Sequence, residues 1–93
     1  MRVTEKNMIQ ALNAGVNKKV SANTEVYNGT VYLYGNAIIK KDPTTGNMYV
    51  RLSGWNTVTT RSRLRSVGAN VYCKDFTPYI NGEVMDFYKW YAI

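Results

Sequence analysis

The chain reads as an α+β domain, with an antiparallel sheet of about five strands, an N-terminal amphipathic helix and a second short basic helix. Three observations predict it. An apolar helical period near the N-terminus gives way after Gly15 to β-branched and aromatic residues. The dipeptides Asn28-Gly29 and Asn81-Gly82 sit between short apolar runs, and a hydroxyl-rich turn leads into an arginine-bearing segment that Gly68 closes. At 93 residues the chain makes one domain, residues 1–93, with one modest core.

Thr4 to Ala14 places Met8, Ile9, Leu12 and, beyond it, Val16 at helical spacing, with Thr4 as N-cap and Glu5 beside the positive end of the helix dipole. Asn28-Gly29 then predicts a type I′ hairpin, because both central positions of that turn need positive φ. The second arm, Val31 to Lys40, is long, and Gly35 inside it predicts a bulge or bend. Lys41 to Asn47 is dense in turn formers and closes a further hairpin onto Met48-Tyr49-Val50-Arg51-Leu52. There Met48, Val50 and Leu52 alternate with Tyr49 and Arg51, so one face is apolar and the other mixed. The basic helix covers roughly residues 60 to 67, capped by Thr59 or Thr60. Asn70 to Lys74 forms another strand, and Asn81-Gly82 a terminal hairpin in which Pro78 prefers an edge or an irregular lead-in. The aromatic end, Phe87 to Ile93, docks on the core with part of its aromatic surface left open.

Composition narrows the function. Twelve lysines and arginines against six acids give a formal charge of +6, which suits a polyanionic or acidic partner and equally suits plain solubility. Histidine is absent, removing the usual general base and metal ligand, and Cys73 is the only cysteine, so no disulfide or multi-cysteine zinc site forms within the chain. The acids are scattered, and no phosphate-cradling glycine loop occurs. No apolar run approaches the roughly 18 residues of a membrane span, and Met1 to Asn7 lack the long apolar run of a signal peptide. A non-enzymatic binding protein, without cofactor or metal and away from membranes, is the expectation.

Candidate binding residues gather between Trp55 and Gly68. Trp55 offers a stacking surface, Thr59 and Thr60 offer hydroxyls at a helix start, and Arg61, Arg63 and Arg65 supply guanidinium groups for phosphate or carboxylate. Lys40 and Lys41 extend the patch, although edge lysines also discourage strand aggregation. Eight tyrosines on strand faces either stack bases or serve as cross-strand packers.

Two stretches, Val31-Tyr32-Leu33-Tyr34-Gly35-Asn36-Ala37-Ile38 and Trp55-Asn56-Thr57-Val58-Thr59-Thr60-Arg61-Ser62-Arg63-Leu64, resemble small accessory proteins of tailed bacteriophages. The resemblance covers the middle third to half of the chain. It implies a phage origin and a site of action in the host cytoplasm, and it transfers no functional residue. The expected partner is nucleic acid or an acidic host protein, with self-association into a homo-oligomer as a third reading.

Overall fold

A computed structural model describes residues 2–93. Helix α1 spans Val3–Ala14 and buries Met8, Ala11 and Leu12. Its cap position is Arg2, which makes no side-chain capping bond, so Thr4 lies inside the first turn rather than ahead of it. The start is set by packing, since Glu5 turns inward to a charged partner described below. Gly15 ends the helix, with its N–H on the Leu12 carbonyl at 3.4 Å and that of Val16 on Ala11 at 3.1 Å. The reversal carries Val16 out of the apolar face, and it is exposed.

Strands β1 (Lys18–Lys19), β2 (Thr24–Tyr27), β3 (Thr30–Leu33), β4 (Asn36–Lys41) and β5 (Met48–Val50) follow as an antiparallel meander. After helix α2 (Val58–Ser66), strands β6 (Val71–Lys74), β7 (Thr77–Ile80) and β8 (Glu83–Val84) form a separate three-stranded sheet. Strand β9 (Tyr91–Ala92) then returns to the first sheet and completes the order β1-β2-β3-β4-β5-β9. The α+β class and the antiparallel pairing hold, while the strands are shorter and more numerous than expected. The Val31–Lys40 arm explains much of the difference. Tyr34 and Gly35 both take positive φ, 50° and 79°, so the chain reverses there into a hairpin instead of bending.

The Asn28-Gly29 and Asn81-Gly82 hairpins form as expected, with positive φ at all four residues. Gly29 has φ 72° beside the Lys41 carbonyl, which an added Cβ would approach to 3.3 Å. Pro78 lies in β7, the middle strand of its sheet, and is buried. Its carbonyl accepts from Met85 N at 2.9 Å, so its missing donor lies on the side of β8, just past that strand's two residues, and not on the side of β6.

Cross-strand register divides the large sheet. Val26, Val31, Ile39, Val50 and Tyr91 are successive partners on the inner face, against the helices. An irregularity at Val31/Tyr32 adds a residue to β4, and the sequence neighbours Ile38 and Ile39 are both buried. Both helices pack on this side, α1 on β2 and β3, α2 on β4 and β6. Val71, Ile80 and Met85 join the same buried cluster, so the small sheet has no core of its own.

One ion pair crosses this core. Arg63 Nη1 donates to Glu5 Oε2 at 2.9 Å, Ser62 Oγ donates to the same oxygen at 2.6 Å, and Arg63 Nε reaches Thr24 Oγ1 at 3.4 Å. Burial pushes the Glu5 carboxyl up, but the bonds from Ser62 and Arg63 and the charges of Arg63 and Arg2 outweigh it, and its pKa lies below the ordinary 4.5. Among the described residues no buried side-chain nitrogen or oxygen lacks a partner.

Candidate nucleic-acid interface

The residues of the arginine segment separate in the fold. Helix α2 is capped by Thr57, whose Oγ1 accepts from Thr60 N at 3.1 Å, so neither Thr59 nor Thr60 is the cap. The Thr60 hydroxyl is buried against that of Thr57 at 2.8 Å, and Thr59 is half-buried inside the first turn. Arg63 is buried and paired with Glu5, which removes it from any surface patch. Arg61 donates to Asn56 Oδ1, and Arg65, which is exposed, donates to the Val71 carbonyl at 3.2 Å. Positions two apart on a helix do not share a face, and the three guanidiniums therefore make no common anion cradle.

Lys40 and Lys41 likewise point to opposite faces, as neighbours on a strand must. Lys41 Nζ bonds Asn13 Oδ1 of α1 at 3.3 Å. Lys40 lies on the outer face of the large sheet, and with it comes a set of residues far apart in sequence. Register aligns Tyr27, Thr30, Lys40, Tyr49 and Ala92 across β2, β3, β4, β5 and β9. A second row aligns Lys19, Glu25, Tyr32 and Ala37. Lys40 Nζ stands 4.3 Å from the Trp90 ring centroid and 5.5 Å from that of Tyr49, and Arg51 Cζ is 4.3 Å from Trp90. The Arg51 guanidinium is held in place by its Nε–H on the Ala37 carbonyl at 2.8 Å.

Two open grooves run over this face. One, of about 690 Å³, is bounded by Thr30, Lys40, Tyr49 and Trp90; the other, of about 480 Å³, by Lys19, Tyr27, Tyr32 and Tyr34. Glu25 is the acid on the second groove, and Asp42 edges the first with Oδ1 engaged by Thr44 N at 2.8 Å and Thr45 N at 3.3 Å. Among the described residues the only ion pair is the buried one, so the formal charge of +6 is carried by surface groups without carboxylate partners. Cations held against aromatic rings beside open grooves can meet phosphates while the rings meet bases. Trp90, Arg51 and Lys19 were not among the expected site residues, although the mixed face of Tyr49 and Arg51, the partly open aromatic end and the strand-face tyrosines all pointed toward this surface.

Trp55 stands apart from the grooves. Ser53 and Gly54, with φ of 55° and 85°, turn the chain after Leu52 and leave Trp55 59% exposed. Gly54 is required twice there, because a Cβ would also meet the Tyr88 ring at 3.0 Å.

The turn between β6 and β7 holds Asp75 and Phe76 at φ 52° and 64°, with Phe76 95% exposed. Its carbonyl accepts from Asn56 Nδ2 at 3.2 Å. A non-glycine residue in the left-handed region costs about 1–2 kcal/mol, and this ring recovers none of it by burial. Phe76→Gly is expected to raise stability by about 1 kcal/mol, read as a higher midpoint in urea.

Among the described residues no helix is long and apolar enough to cross a membrane. No curated protein and no solved structure matches the chain. A family model described as Kyanoviridae Gp96 protein matches residues 1–92, and the phage origin expected from the two middle stretches is thereby borne out. With nearly its whole length matched, from α1 through β9, the chain belongs to the Gp96 protein family of the Kyanoviridae, a family of bacteriophages.

Proposed function

We propose that this phage protein acts by binding rather than by chemistry, holding a single strand of nucleic acid along the outer face of the large sheet in the host cytoplasm. One observation carries the reading: Lys40 and Arg51 are set against Trp90 and Tyr49 beside an open groove, without an ion-pair partner for either cation. A single strand presents both groups that such a face recognises, phosphates and unstacked bases, whereas a duplex hides the bases. The lack of histidine favours binding over catalysis. The test is fluorescence anisotropy with a labelled single strand over a salt series. Affinity should fall steeply as salt rises, and a salt-insensitive signal or none would refute the reading.

A host-directed effector is the second reading, and Phe76 favours it. An aromatic ring held in solvent by a strained turn is what a protein-binding anchor needs. Phe76→Gly would then abolish capture of a defined, nuclease-resistant host protein while leaving strand binding unchanged.

A further inference from the structure

We propose that the apolar pocket between Tyr34 and Trp55 receives one unstacked nucleobase of the bound strand, an inference that rests on the sheet-face reading. The pocket, about 400 Å³, is more enclosed than the two grooves and is lined by Leu33, Tyr34, Asn36, Ile38, Leu52 and Trp55, with the hydroxyls of α2's first turn at its edge. That volume falls within the range of small-ligand sites. Its floor is core: Leu33, Ile38 and Leu52 are all buried. Its two aromatic walls are not, with Tyr34 75% and Trp55 59% exposed.

No cation lines it, so a phosphate has nothing to hold it there. A flat group with apolar faces and a polar edge fits better. Asn36 supplies the edge contact: its Nδ2 is used on the Leu33 and Tyr34 carbonyls at 3.4 and 3.3 Å, and its Oδ1 accepts from no described residue. The Thr57 and Thr60 hydroxyls share one hydrogen bond at 2.8 Å, which leaves a single hydroxyl hydrogen on that side as a second polar contact for a base edge. Continuity with the grooves decides between a base and an unrelated small molecule. Tyr34 lines both this pocket and the groove of Lys19, Tyr27 and Tyr32, so a strand on the outer face can turn a base over the sheet's end at that residue. Tyr34 is also held at φ 50°, a conformation a tyrosine rarely adopts, and its hydroxyl accepts from Asn23 Nδ2 at 3.5 Å on the groove side.

The experiment compares a thymidine homopolymer with an abasic strand of equal length, on the wild type and on Trp55→Ala, whose ring lines the pocket and neither groove. The variant is expected to bind the thymidine strand about tenfold more weakly and the abasic strand unchanged. Equal losses on both strands, or none on either, would overturn the pocket while sparing the sheet-face reading. Failure of the wild type to bind either strand would overturn both. Self-association without nucleic acid that Trp55→Ala abolishes would put a second copy of the chain in the pocket and overturn the base assignment.

Discussion

Arg63→Ala is expected to destabilise the fold by about 3–5 kcal/mol, because it leaves the Glu5 carboxylate buried without its main partner. The loss is large for a domain of this size, whose whole stability is on the order of 5–15 kcal/mol. Urea denaturation followed by tryptophan fluorescence measures it. Arg65→Ala, two residues along and exposed, serves as the control and should change stability by less than about 1 kcal/mol. Combining Glu5→Leu with Arg63→Met should restore much of what Arg63→Ala loses, since an apolar pair of similar volume avoids the desolvation of two charges. The pair also sets a pH dependence. Glu5 has a lowered pKa in the folded state, so its contribution is present above the ordinary carboxylate value of 4.5 and disappears as pH falls through the folded value. Stability should therefore drop on the acid side in the wild type, and the Leu/Met variant should lack that part of the drop.

Lys40→Gln with Arg51→Gln is expected to weaken single-strand binding about a hundredfold or more at low salt, as each charged hydrogen bond contributes about 1.5–3 kcal/mol. Glutamine keeps much of each side chain's length and a donor for the Ala37 carbonyl, so the fold should stay intact by thermal melting. The slope of log affinity against log salt should fall by about 0.7 for each cation removed. Lys6→Gln, exposed on α1 and outside both grooves, should leave that slope nearly unchanged. Equal effects from Lys40 and Lys6 would mean that bulk charge, not the sheet face, governs binding.

What could be read from the chain alone divides along the range of the interactions. Asn28-Gly29 and Asn81-Gly82 were legible because the turn's chemistry lies in two adjacent residues. Tyr34-Gly35 and Asp75-Phe76 make equally tight reversals, but Tyr34 and Phe76 are aromatic residues that local preference argues against, and only the surrounding sheet holds them there. The arginine segment misled for the opposite reason. Three guanidiniums close in sequence read as one patch, whereas the partner that buries Arg63 is 58 residues away. The outer-face constellation was equally hidden, since Trp90 meets Lys40 and Arg51 only once β9 has returned to β5. The mixed character of Tyr49 and Arg51 was visible, but not which residues would stand beside them.

The order of the large sheet also bears on how the chain folds. From β1 to β5 each strand pairs with the next, so these hairpins close short loops and can form early. The β5–β9 ladder and the Glu5–Arg63 contact close long ones, and they are expected to form after the transition state. Disruption of either then appears mainly as faster unfolding, with the refolding rate little changed. The meander would thus be the nucleus, and the chain's two ends the clasp that determines how long the folded molecule lasts.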